Sequence, residues 1–287
     1  MAAEVHNTLG SVLDLWRFPV KSMQGEKLES ARITEKGVDG DRAYAFVDAE
    51  TGKIASAKNP RKWPNMLACA ASFVRPPAAG QQDPPPVRVV FADGVTLSSG
   101  EAGFDERASR ALGRNVTLRS TPVPSPVLEE YWPDIDGLAH REMVTDEAIS
   151  LGAPAGSFFD FAQIHLITTS TLAALERAYP QGRFDPCRFR PNLLVRTAED
   201  GFPENDWTRI GVGAEVVLEV VIPCPRCVMT TLPQRDLPHD SGILRTAARQ
   251  NNVMIAPLGQ AMPSAGVYAK VIRGGEVRPG DAVWRAT

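Results

Sequence analysis

A mainly β fold with a few helices (α+β) is predicted by three features of the sequence. Apolar and polar residues alternate loosely over many short segments, as half-buried strands require. Glycine and proline are plentiful, 23 and 24 in 287 residues, and Asp-Gly or Thr-Gly pairs at 39–40, 51–52 and 93–94 mark turns between the alternating segments. Helical spacing of apolar residues, by contrast, holds over only three segments.

Residues 12–20 and 27–34 read as strands punctuated by Gly25 and Gly37. The pattern continues through 43–48, 66–74, 87–91 and 95–97, so this part is expected to form a small barrel or meander. Phe104, Ala108, Ala111 and Leu112 share one face of a helix over 102–112, after which 116–118 is extended again. From 121 to 157 prolines and glycines dominate and no period persists, which predicts a long ordered loop or an interdomain connection. A strand over Ile164–Thr168 leads to a helix over 171–179 that Ser170 would cap and Pro180 would stop. Further strands are expected at 192–196, 216–222, 253–255, 266–272 and 282–284, with a helix over 243–250 between them. The expected organisation is two β-rich domains, 8–122 and 161–287, joined by a proline- and glycine-rich connection at 123–160.

With 31 Lys+Arg against 34 Asp+Glu, the chain has no bulk positive field, so neither nucleic acid nor an anionic membrane is expected as a partner. The first residues, including His6, lack a basic segment followed by an apolar one, and no apolar run approaches the ~18 residues of a membrane span. A soluble, cytoplasmic protein is the expectation. Four cysteines are too few for a disulfide scaffold in a chain of this size, but two of them stand three apart.

That pair lies in Pro223-Cys224-Pro225-Arg226-Cys227-Val228-Met229-Thr230-Thr231, where a β run ends. A guanidinium beside a thiol favours the thiolate, so Cys227 next to Arg226 reads as a low-pKa metal ligand. A buried structural pair is the plain alternative. A zinc site would need two more ligands, for which His239 and Cys187 are the neighbours in sequence, and a thioredoxin-like pair would need a following helix that the β-branched, proline-ended run does not favour. A second cluster, Arg188-Phe189-Arg190-Pro191-Asn192, offers a planar fork and an amide suited to a phosphate or a heterocycle edge. In a third, Lys21 and Ser22 follow Phe18-Pro19-Val20, with Asp41-Arg42 some way on: a point charge, a hydroxyl and a second fork. Each cation, taken alone, reads equally well as a solvated surface group. His165 inside an apolar strand reads as a hydrogen-bonded core residue, and Asp160 before it as a turn anchor or a partner of His165.

Taken in this order, the segments resemble the MOSC superfamily, in the branch with a MOSC N-terminal β-barrel domain that contains the mitochondrial amidoxime-reducing component and its bacterial relatives. Leu15-Trp16-Arg17-Phe18-Pro19-Val20-Lys21-Ser22 is similar to that barrel's opening motif and Gly40-Asp41-Arg42 to its second. Phe189-Arg190-Pro191-Asn192 and Arg226-Cys227-Val228-Met229-Thr230-Thr231 match the start of the MOSC core and its cysteine motif, and the similarity runs to Gly280-Asp281-Ala282-Val283. The resemblance implies a MOSC N-terminal β-barrel-like domain followed by a MOSC β-barrel domain, and the molybdenum cofactor (Mo-molybdopterin). It implies that Cys227 is the metal ligand and catalytic residue, with Cys224 a neighbour. Lys21, Ser22, Arg42, Arg190 and Asn192 would hold the pterin phosphate, and Arg226 and Tyr268 match further cofactor-lining positions.

The implied function is reduction of small N-hydroxylated or N-oxide substrates by oxygen-atom transfer. There is no four-cysteine iron–sulfur pattern, so electrons would come from a separate protein of the ferredoxin, flavodoxin or cytochrome b5 type. No general acid is assigned; Asp160 is the carboxyl considered. The chain departs from the eukaryotic reductases after the cysteine motif, where it reads Leu232-Pro233-Gln234-Arg235-Asp236-Leu237-Pro238, and at Phe161 and Ala162, which replace a pair of hydroxyls. A cofactor carrier without turnover and a sulfurtransferase with a cysteine persulfide are the competing readings.

Overall fold

A computed structural model describes residues 8–78, 81, 83–121, 124–138, 140–154 and 157–286; the opening residues, with His6, lie outside the described part. The fold is mostly β, with four α-helices. Seven strands close into a barrel in the order Ile164–Thr168, Leu193–Arg196, Thr8–Arg17, Ala282–Arg285, Arg209–Val212, Val216–Pro225, Gln260–Arg273, and back to Ile164–Thr168. All neighbours are antiparallel except the first two, which pair in parallel. A parallel pair needs a crossover, and the helix Thr169–Ala178 supplies it.

Side-chain alternation decides what each barrel strand buries. Leu193 and Val195 point into the barrel core with Val12, Leu15, Ile164, Leu166, Leu218, Val267 and Val283. Leu194, on the opposite face, packs outside with Ile167, Leu175, Phe189, Ile243 and Ala247 under the helices Thr169–Ala178 and Gly242–Gln250. The barrel takes its Thr8–Arg17 strand from the start of the chain, so barrel closure and chain order do not coincide.

A second core is built from residues 20–116, including Val20, Met23, Phe46, Trp63, Met66, Phe91, Phe104 and Leu112. Its helix, Phe104–Leu112, ends at Gly113, whose φ of 75° is a left-handed cap that costs glycine nothing. Met229, two residues beyond Cys227, is buried in this core with Cys227 and Leu232 packed against it. The cysteine turn therefore plugs the seam between the two cores.

Three expectations need correction. The connection at 123–160 is expected to be an ordered loop or an interdomain connection without a persisting period, yet Val127–Trp132 and Met143–Ala148 form an antiparallel hairpin. Glu and Asp on its outer face hide the period, because they pair with lysines of the neighbouring segment, as Lys53 does with Glu129 and Asp146. The helix after Ile164–Thr168 is capped by Thr168, which accepts from the Thr171 amide at 3.1 Å, and not by Ser170, whose hydroxyl donates to the Glu199 carbonyl. The strand expected over 66–74 opens instead with a 3₁₀ turn, Met66–Ala68, before Ala70–Phe73.

Candidate functional site

All eight residues singled out by sequence, Lys21, Ser22, Arg42, Arg190, Asn192, Arg226, Cys227 and Tyr268, line one cleft between the two cores. Backbone pairing brings the two N-terminal motifs together. Arg42 N donates to Phe18 O at 2.8 Å, Lys21 N to Tyr44 O at 2.8 Å, and Phe18 N to Asp41 Oδ1 at 2.7 Å. The Phe18 ring then carries two guanidinium groups, Arg42 at 4.5 Å and Arg190 at 4.3 Å from its centroid. Aromatic faces hold cations in this way while leaving their N–H edges free.

Ser22, Arg42 and Arg190 all have positive φ, at 63°, 48° and 58°. Left-handed backbone is unfavourable for residues with a side chain and persists where the surroundings over-determine it, which happens most at binding sites. Arg190 does so as the C-cap of the one-turn helix Pro186–Phe189, whose first turn is held by Asp185 accepting from the Cys187 amide.

Cys227 stands two residues beyond the end of the Val216–Pro225 strand and caps the 3₁₀ turn Val228–Thr231. Its partner in the motif, Arg226, donates to Ala265 O at 3.2 Å, Phe189 O at 3.3 Å and His165 Nε2 at 3.2 Å, while its Nε is buried without a partner among the described residues. Tyr268 stands across the cleft, 5.8 Å from the His165 ring and 5.9 Å from Phe161. Gly266 is required there: a Cβ would come within 2.4 Å of Leu166 O and 2.6 Å of His165 Nε2.

Family models match the chain at two places, the MOSC N-terminal beta barrel domain over residues 9–82 and the MOSC domain over 154–284. The chain carries a MOSC N-terminal beta barrel domain and a MOSC domain. Mitochondrial amidoxime reducing component 2 of Rattus norvegicus is 23% identical over 299 residues, which cover 96% of this chain and 83% of that protein. Mitochondrial amidoxime-reducing component 1 of Xenopus laevis is 26% identical, covering 99% and 84%. Among solved structures, the YUAD protein from Bacillus subtilis aligns with a TM-score of 0.43 and 12% identity over 96% of this chain and 93% of its own.

The MOSC cleft also holds Lys58, which sequence reading passed over, and His165 and Arg188, which it gave no role in the site. Lys58 donates to Glu130 Oε2 at 3.1 Å, and Glu130 comes from the hairpin that was read as a loop. Arg188 is 1% exposed and donates to the carbonyls of Arg183, Thr230, Leu232 and Pro238, which staples the cysteine turn to the Arg190 turn. His165 was expected in the core; it is buried, but its ring also forms part of the cleft wall. The signal for Lys58 and Arg188 is absent from linear spacing because their partners lie on other segments.

Electrostatics in the cleft correct two further expectations. Burial pushes the Cys227 thiol up to about 11, Glu130 adds to the shift, and Lys58 and Arg226 only partly oppose it. The thiol is therefore not a low-pKa one, and a metal binding there must displace its proton. Burial alone would raise Asp160, but Lys21 at 2.8 Å and Lys58 at 3.6 Å hold it as a carboxylate well below the usual range. It is an anchor for two ammonium groups, neither a proton donor at neutral pH nor a partner of His165. Burial lowers Lys21 to about 8 and Arg190 to about 9, whereas Asp160 and Glu130 overcome burial at Lys58 and hold it well above the usual lysine range.

Asn192 faces the cleft with its side chain already engaged. Its Oδ1 accepts from His165 N at 3.1 Å and its Nδ2 donates to Trp16 O at 3.3 Å, which leaves one N–H of the amide for a ligand. As for zinc, the described residues gather no group of three or more His, Cys, Asp or Glu side chains suited to a metal. No helix among the described residues is long and apolar enough to cross a membrane.

Proposed function

We propose that this MOSC protein is a molybdenum-cofactor-dependent reductase that removes oxygen from small N-hydroxylated or N-oxide substrates, with electrons from a separate ferredoxin-, flavodoxin- or cytochrome b5-type protein. The observation that carries this reading is the meeting of one half-buried thiol, an amide and a ring of cations in a single cleft. The donor set fits a molybdopterin. A dianionic phosphate would be met by Lys21, Arg42 and Arg190, and the unpartnered Arg226 Nε offers a donor to a polar ring system. Cys227 would supply the thiolate ligand. The names of the curated relatives, amidoxime-reducing components, support the substrate class.

When bound, the cofactor supplies two-electron oxygen-atom-transfer chemistry. The chain's own groups bind and orient. Arg42 and Arg190, braced on Phe18, would fix the anionic end, while Arg188 would hold the Cys227 turn at the depth set by Met229. Two protons and two electrons balance the release of the oxygen atom as water. A cytoplasmic location belongs to the same proposal and is tested by cell fractionation.

Metal and pterin analysis of protein made in a host that synthesises molybdopterin tests the reading, together with amidoxime reduction by an artificial donor. Near one equivalent of each with turnover is the expected result. Bound cofactor without turnover would favour a carrier, and a cyanolysable sulfur without metal would favour a sulfurtransferase.

A further inference from the structure

Lys58 lines the cleft and keeps unused hydrogen-bonding capacity. Its side chain is 16% exposed, and among the described residues its ammonium makes one hydrogen bond, to Glu130 Oε2 at 3.1 Å; Asp160 Oδ1 lies at 3.6 Å, beyond hydrogen-bond reach. An ammonium has three donors, so two remain. Three other cleft cations are more fully engaged: Lys21 by Phe158 O and Asp160, Arg188 by four carbonyls, and Arg226 by Phe189 O, Ala265 O and His165. Arg42 and Arg190 also keep free N–H donors, and they are the pair proposed above for the phosphate.

The backbone fixes where those donors point from. Lys58 O accepts from Tyr131 N at 2.8 Å, which seats Lys58 beside Glu130 on the Val127–Trp132 strand. Lys58 lines the same cleft as Cys227 and Tyr268, and its ammonium shares Asp160 Oδ1 with Lys21, at 3.6 and 2.8 Å. Arg42 and Arg190 are committed to the Phe18 ring, at 4.5 and 4.3 Å from its centroid. The oxygen of an N-oxide bears negative charge, and that of an N-hydroxyl group gains it as the N–O bond stretches. A permanently charged donor in the cleft that holds the thiol suits that oxygen.

We propose that Lys58 is a further substrate-binding residue, its ammonium held by Glu130 and donating to the oxygen of the substrate's N–O group. The assignment rests on the reductase reading above. Lys58 stays an ammonium throughout, and neither proton nor electron passes through it.

The test compares wild-type and Lys58→Met holoprotein for metal and pterin content, and for the affinity of benzamidoxime and of benzamidine, which lacks the oxygen. Losing one charge-assisted hydrogen bond is expected to weaken benzamidoxime binding and raise its KM on the order of tenfold to a hundredfold. Benzamidine affinity and cofactor content are expected to stay as in wild type, and Lys58→Arg is expected to restore part of the benzamidoxime affinity. If Lys58→Met does not fold, Lys58→Met/Glu130→Gln, which removes both partners, is read in the same way. Loss of metal or pterin in the variant, or equal effects on the two ligands, overturns the assignment while leaving the reductase reading standing. Wild-type protein without metal and pterin overturns both.

Discussion

Arg226 Nη1 and His165 Nε2 lie 3.2 Å apart. Arginine can only donate, so the imidazole nitrogen accepts and the ring is neutral. Burial, reinforced by the Arg226 charge, pushes His165 well below the ordinary 6.5. This contact ties the cysteine motif to the Ile164–Thr168 strand.

Replacing His165 by Leu removes one of three acceptors of Arg226 Nη1, which keeps Ala265 O and Phe189 O, so a cost of about 0.5–1.5 kcal/mol, that of one hydrogen bond, is expected. The pH dependence has a definite sign. Below pH 6.5 the unfolded chain protonates this histidine while the folded chain resists, so stability falls as pH drops through 6.5. Urea unfolding across pH 5–7 should show that part of the slope disappearing in the His165→Leu variant.

Lys21 predicts the opposite end of the pH scale. Burial outweighs Asp160 and leaves its ammonium at about 8, against 10.5 for an ordinary lysine. Between those values the unfolded chain binds more protons, so this group's contribution to stability rises with pH there. Anion binding runs the other way, because a neutral Lys21 attracts phosphate less. Cofactor affinity is expected to fall as pH rises past about 8, and titration of Lys21→Met should show lower affinity without that dependence.

The two motif cysteines are expected to separate cleanly. Cys224 is fully buried and Cys227 partly open to the cleft. Cys227→Ser should lose metal and activity, whereas Cys224→Ser should keep most of both. Metal analysis and turnover of each variant check this; equal losses would remove Cys227 from its proposed role.

Arg188 fills four carbonyl acceptors from deep inside the protein. Arg188→Met strands them, and at about 1–3 kcal/mol for each buried unsatisfied group the variant should be destabilised by several kcal/mol. Denaturant unfolding measures this. A loss below about 1 kcal/mol would mean that water replaces the guanidinium.

A fragment of residues 161–287 lacks the Thr8–Arg17 strand that bridges Leu193–Arg196 and Ala282–Arg285. Its barrel cannot close and would expose two long edges. The fragment is expected to be unfolded or aggregated by circular dichroism and gel filtration, and to become soluble when the strand is supplied in the same chain.

Much of this protein is written in local pattern. Alternation and turn dipeptides specify most strands, because the side-chain period of a strand depends only on neighbours in sequence. The motif residues are equally legible, since each turn carries its own composition: Phe-Pro-Val-Lys-Ser, Asp-Arg, Arg-Pro-Asn and Arg-Cys. What local pattern leaves open is charge and partnership. Spacing puts Arg226 beside Cys227, but burial and Glu130, from a strand nearly a hundred residues away, decide that the thiol stays protonated. Lys58, Arg188 and His165 become cleft residues only when the barrel closes and Met229 docks into the neighbouring core. Field, desolvation and hydrogen-bond satisfaction depend on distance through space, so tertiary structure alone settles them.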